Sequence, residues 1–144
     1  MTFIVNNKPL YYILQFTWGL LTNLVGLFVF IPLAVFCLVF KKEKVKKFHN
    51  NFYIRIGKRW GGFSLGVFIV LGKDQPESSK YHESGHSLQN IVWGPLFPFV
   101  IGIPSATRWC YRYLTPKKKH PDYYSIWFEG QATEWGLKYF GGKK

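Results

Sequence analysis

The chain has 144 residues, enough for one hydrophobic core and too few for two independent ones. Aromatic residues make up 20% of it and charged residues only 18%, a balance that sets it apart from ordinary soluble domains. The net charge of +12 would suit a nucleic-acid binder, but the lysines and arginines gather beside apolar runs, so no nucleic-acid partner is expected.

Pro9 to Phe40 is a run of 32 residues without a charge. About 20 apolar residues span a bilayer, so a single transmembrane helix is expected here, tilted or partly interfacial. Pro32 would kink it, and Tyr11, Tyr12 and Trp18 suit an interfacial belt. The run is too long for a secretory signal and ends in large residues, Phe36 to Phe40, which marks an anchor that is retained. Lys41, Lys42, Lys44, Lys46 and Lys47 follow it, and Arg108, Arg112, Lys117, Lys118 and Lys119 form a second basic cluster. Such clusters beside apolar segments mark the cytoplasmic side of a membrane and its anionic lipids. The expectation is an integral protein of a bacterial inner membrane, N-terminus outside, with residues 1–47 as anchor and basic patch and 48–144 as a small cytoplasmic domain. Cys37 and Cys110 show no ligand spacing and imply no disulfide framework.

From Phe52 to Leu71 the apolar period changes to two. Phe52, Ile54 and Ile56 alternate, residues 58–62 (Lys-Arg-Trp-Gly-Gly) read as a turn, and Phe63, Leu65, Val67, Ile69 and Leu71 alternate again, which predicts one β-hairpin. Phe68 and Val70 are apolar too, so the second arm is expected to be covered on both faces near its end. A helix is then predicted from Pro76 to Trp93, capped by Asp74 or Gln75 and stopped by Gly94-Pro95. Leu96 to Thr107 is apolar but broken by Pro98, Gly102 and Pro104, and is expected to form a re-entrant or interfacial loop. A last helix is predicted from about Tyr123 to Phe140, with Asp122 or Ser125 at its start and Gly141-Gly142 at its end. The fold class expected is α+β.

The helix from Pro76 carries His82-Glu83-Ser84-Gly85-His86. Residues four apart share a helix face, so His82 and His86 can aim both imidazoles at one metal ion, and Glu83 is placed to take a proton from a metal-activated water. A catalytic zinc needs a third protein ligand with a fourth position left for water. The downstream candidates are His120, Asp122, Glu129 and Glu134. Glu129 shares a helical stripe with the small residues Ala132, Thr133 and Gly136, which would let that helix approach Ser84-Gly85 and bring the carboxylate to the metal. Glu134 lies roughly 140° round the helix from Glu129, so the two cannot both point there. Glu129 is the preferred ligand, and one Zn2+ per chain is the expected cofactor.

His82-Glu83-x-x-His86 with Glu129-x-x-Ala132 resembles the gluzincin branch of the zincin metallopeptidases. It is similar above all to their membrane-embedded members, the heat-shock membrane metallopeptidases and prenyl-protein endopeptidases. The resemblance runs from His82 to Gly136 and implies zinc on His82, His86 and Glu129, with Glu83 as general base. It implies a substrate peptide laid along a β-strand edge, a role that falls to Phe63, Leu65 and Val67. Those families carry an aspartate three or four residues after the third ligand, where this chain has Thr133. A site-2-type protease is the weaker match, since its third ligand is an aspartate of a later membrane segment and Asp122 sits in a polar loop. Candidates for an oxyanion donor or for support of the ligands are Tyr123, Tyr124, His120 and Gln89.

The function expected is therefore a membrane-anchored zinc endopeptidase acting on a peptide or membrane-protein substrate, with homo-oligomerisation left open. The alternative is a non-catalytic membrane protein that binds a protein partner through a domain closed around a structural zinc, with His120 as fourth ligand.

Overall fold

The computed structural model describes residues 1–41, 43–115, 122 and 125–141. The chain runs through α1 (Thr2–Asn6), α2 (Lys8–Phe16), α3 (Leu20–Phe40), β1 (Lys46–Phe48), β2 (Asn51–Arg55), β3 (Gly62–Leu65), β4 (Phe68–Leu71), α4 (Ser78–Trp93), α5 (Ile103–Leu114) and α6 (Trp127–Phe140). The architecture is mixed, helices around one four-stranded sheet, with one apolar helix near the N-terminus.

The uncharged run is two helices rather than one. Between α2 and α3 the chain turns through Gly19, where a Cβ would lie 2.4 Å from the Asn90 amide nitrogen. Asn23 closes the break: its Nδ2 lies 2.8 Å from the Gln15 carbonyl and 2.9 Å from that of Gly19, so carbonyls orphaned at a helix end are satisfied. Its Oδ1 accepts the Val67 N–H at 2.9 Å, which ties α3 to the sheet. α3 itself, 21 residues, is long and apolar enough to cross a membrane. Leu24, Phe28, Ile31, Val35 and Leu38 form an exposed stripe along it at helical spacing. Tyr11 does not join an interfacial belt. It is fully buried and its hydroxyl donates to Asn51 Oδ1 at 2.9 Å.

The N-terminal helices share the core of the domain. Val5, Tyr11, Phe30 and Cys37 pack in one cluster with Ile54, Phe68, Val70, Leu88 and Phe140, so the core runs across the boundary expected at residue 47. Both cysteines are free.

The sheet corrects the expected hairpin. Strand order is β1-β2-β4-β3, with β1–β2 and β3–β4 antiparallel and β2–β4 parallel. The arms 52–56 and 63–71 therefore do not fold back on each other. Gly66, at φ +65°, lets the second arm turn on itself, and a Cβ there would strike the Asn23 side chain. Alternation is real within β4, where Phe68 and Val70 face the main core and Ile69 and Leu71 a second cluster with Tyr53. β3 is left at the edge of the sheet, pairing among the described residues only with β4.

α4 begins at Ser78, two residues later than expected, without a side-chain cap. Asp74 instead accepts the Arg59 N–H at 2.8 Å, and Gln75 Nε2 donates to the Trp60 carbonyl at 2.7 Å. The run after it is built of helical turns, with the sharp bend that a re-entrant loop or a broken span would have. A 3-10 turn (Gly94–Leu96) and a π turn (Pro98–Gly102) lead into α5, bent by 118° from α4. Pro95, Pro98 and Pro104 sit in the first turn of each segment, where the missing N–H has no partner to lose. α6 begins at Trp127, and just before it the Ser125 hydroxyl donates to the Asp122 carbonyl.

Candidate metal centre

Glycines set the distance between α4 and α6. A Cβ on Gly85 would lie 1.8 Å from the Ala132 carbonyl oxygen, and one on Gly136 would lie 1.9 Å from that of Tyr81. The two contacts step one turn along each helix in opposite directions, so the helices pack antiparallel with their backbones touching. This register carries Glu129, one turn before Thr133, to His82 and His86.

Glu129 is fully buried. Its Oε2 lies 3.1 Å from His82 Nε2 and 3.4 Å from His86 Nε2, and the three side chains offer ligand atoms within 4.8 Å of one another. The cluster could hold a metal ion. Its second carboxylate oxygen, Oε1, accepts the Ser105 hydroxyl of α5 at 2.5 Å, which leaves Oε2 turned to the imidazoles.

The other ring nitrogens are also fixed. Gln89 Nε2 faces the Phe128 carbonyl at 2.8 Å and can only donate there, so its Oε1, 2.7 Å from His86 Nδ1, accepts a hydrogen bond from that ring. Thr133 Oγ1 donates to the Glu129 carbonyl at 3.1 Å and therefore accepts from His82 Nδ1, 2.8 Å away. With both Nδ1 atoms protonated, each neutral ring turns an Nε2 lone pair toward the Glu129 oxygen. Three acceptors aimed at one point need a cation or added protons between them, and this donor set fits a divalent transition metal. The protonation tendencies agree. Burial would lower the His86 imidazole, but hydrogen bonding to Glu129 and the charges of Glu83 and Glu129 raise it above its usual value. Burial would raise the Glu129 carboxyl, yet hydrogen bonds from His82 and His86 hold it well below the usual range.

Glu83 is buried beside the cluster, and its Oε2 has no hydrogen-bond partner among the described residues. Burial raises its carboxyl above the ordinary value, against the pull of the neighbouring imidazoles. His82, Glu83 and His86 line a cavity of about 600 Å3 whose other walls come from α3, β3, the π turn and α5.

Of the expected site residues, His82, His86 and Glu129 come together, Glu83 lies next to them, and Gln89 supports His86. Phe63 and Leu65 lie on the edge strand β3, but Val67 does not: it is fully buried in the turn before β4, its N–H given to Asn23. Glu134 faces solvent, Asp122 is exposed and outside the cluster, and His120, Tyr123 and Tyr124 lie outside the described residues. Ser105 was not foreseen, because it sits in a run read as a loop. Thr133 stands out in the sequence as a small residue of the Glu129 stripe and as a departure from the family pattern, and neither signal shows that it holds the His82 ring.

Comparison with known protein families, with curated proteins and with solved structures finds no match.

Thr133 offers a direct check on the ring orientation. Thr133→Val keeps the shape of the side chain and removes the acceptor for His82 Nδ1, and is expected to weaken any divalent metal binding at the cluster about 10- to 100-fold in chelator competition. Thr133→Ser should restore it. Equal affinities in all three proteins would remove Thr133 from the site.

Proposed function

We propose that this protein is a membrane-anchored, zinc-dependent endopeptidase of zincin type, resembling the membrane-embedded gluzincins. The observation that carries the reading is one constellation. Two imidazole nitrogens and one carboxylate oxygen converge on a point beside a cavity, next to a Glu83 oxygen that has no hydrogen-bond partner among the described residues. A purely structural metal site has no use for a buried carboxylate in that position.

His82, His86 and Glu129 would hold the ion, whose chemistry is to polarise a carbonyl oxygen and to acidify water. The protein's own groups do the rest. β3 offers its open edge to an extended peptide, with Phe63 and Leu65 alongside. Glu83 takes a proton from the attacking water as its oxygen bonds to the peptide carbon. It returns that proton to the leaving nitrogen as the C–N bond breaks, so one water is consumed and an acid and an amine are released. The apolar wall of the cavity keeps other water away from the reacting bond.

The exposed stripe of α3 supports a membrane anchor, and the basic residues after it support a cytoplasmic site in a bacterial inner membrane.

The test is the zinc content of detergent-purified protein, measured by elemental analysis beside a Glu129→Ala variant. About one zinc per chain is expected, lost or weakened by several orders of magnitude in the variant because only two protein ligands remain. A parent protein without zinc affinity would overturn the proposal.

A further inference from the structure

A second space adjoins the metal cluster. It measures about 670 Å3 and is walled by Arg59, Gln75, Ser79, Arg112 and Tyr113. Trp60, Gly62, His82, Glu83 and Trp109 border both spaces, so the two meet at the site. Their chemistry is opposite. The first is walled by apolar groups such as Val25, Leu65, Phe97, Ile101 and Ile103, and the second is lined by two arginines beside the Glu83 that both share. β3 runs from one to the other: Gly61 and Gly62, at its start, border the basic cleft, and Leu65, at its end, borders the apolar cavity. Val25 of α3 and Ile103 of α5 line the apolar cavity and are themselves exposed, so that side opens between two apolar surfaces.

We infer that the substrate is a peptide segment at the polar end of an apolar stretch, bound with apolar residues in the cavity between α3 and α5 and a carboxylate in the Arg59–Arg112 cleft. This rests on the endopeptidase reading and narrows it to a substrate class. An extended strand advances about 3.3 Å per residue, so a substrate laid along β3, whose start borders the cleft, would carry a carboxylate a few residues from the scissile bond toward the two arginines. Charge complementarity selects the occupant: an acidic side chain or a free C-terminal carboxylate is drawn to the cleft, whereas a lysine is repelled. The apolar wall selects the other half by burial.

The experiment uses the full chain in detergent, loaded with zinc, and a set of fluorogenic peptides. Each peptide joins a leucine-rich half to a half containing aspartate, asparagine or lysine, in both orders, and each is made with a free and an amidated C-terminus. The aspartate peptides are expected to show kcat/KM at least about tenfold above the lysine peptides at low salt, a preference that shrinks as salt rises. A preference in either order supports the inference. An aspartate preference that persists on amidation assigns the carboxylate to a side chain, and faster cleavage of the free than of the amidated asparagine peptide assigns it to the C-terminus. In an Arg59→Glu/Arg112→Glu variant the order of preference should invert, with zinc content reporting that the site is intact. Equal kcat/KM for aspartate and lysine peptides together with no effect of amidation, or no loss of the observed charge preference in the variant, overturns it. Binding to the zinc-loaded Glu83→Gln protein separates this inference from the hydrolase reading. Selective binding of the leucine–aspartate peptides without cleavage by the parent supports the cleft and sinks the hydrolase. Cleavage without charge preference does the reverse.

Discussion

Glu83→Gln is expected to reduce peptide hydrolysis by a factor of about 10³ or more while leaving about one zinc per chain in place, a loss in the range a positioned general base supplies. The substitution is nearly isosteric, so the cavity and the packing of α4 should be preserved. What changes is the ability to hold a proton: an amide cannot accept one from water and hand it to the leaving nitrogen. Zinc should remain because the Glu83 carboxylate is not among the three groups that converge; those are His82 Nε2, His86 Nε2 and Glu129 Oε2. Turnover of a fluorogenic peptide and elemental zinc, measured on the same preparation, test both halves. Normal turnover in Glu83→Gln would sink the mechanism, and loss of zinc would move Glu83 from base to ligand.

The histidine spacing and the helix beneath it were legible because one side-chain period, 3.6, fixes which residues share a face. Glu129 was legible for a related reason. The small residues Ala132, Thr133 and Gly136 repeat at the spacing of one helical face, and a face without bulk implies a neighbour at close range. The sheet was less legible. Alternation marks residues 52–56 and 63–71 as extended, but a period of two shows neither that the second run turns on itself at Gly66 and Val67 nor which strand lies beside which. The parallel β2–β4 pairing is decided by tertiary contacts, among them the hold of Asn23 on the Val67 N–H.

The break between α2 and α3 was hidden in the same way. Hydropathy alone makes Pro9–Phe40 continuous, and the polar residues Gln15, Asn23 and Asn90, far apart in sequence, form the buried network that divides it. The turns after α4 misled for the opposite reason. Prolines that would break a helix interior fall here in the first turns of new helical segments, where they are tolerated. Ser105 was lost with that segment, since a serine is only informative once the residue it faces is known.

The largest structural effect is expected at the glycines that let α4 and α6 touch. In Gly85→Ala the new methyl carbon would meet the Ala132 carbonyl oxygen at 1.8 Å, whereas ordinary heavy-atom contacts lie near about 3.5 Å. The obstacle is backbone, so no rotamer change relieves it and the helices must separate. Overpacking of this kind costs about 3 kcal/mol, equivalent to a fall in Tm of roughly 10 °C for a chain of this size. Separation also takes Glu129 away from the histidines. Zinc–ligand distances of about 2.0–2.2 Å tolerate little movement, so zinc affinity should drop by at least about a hundredfold in the same variant. Gly136→Ala meets the Tyr81 carbonyl oxygen one turn away and should behave alike. The double variant distinguishes this account from two unrelated local defects. Once one methyl has forced the helices apart, the second finds the gap already open, so the combined loss of stability should be clearly smaller than the sum of the single losses. Thermal melts of the zinc-free proteins read that difference directly; additive losses would mean that the two contacts do not share one helix–helix spacing, and that Glu129 is held at the site by something else.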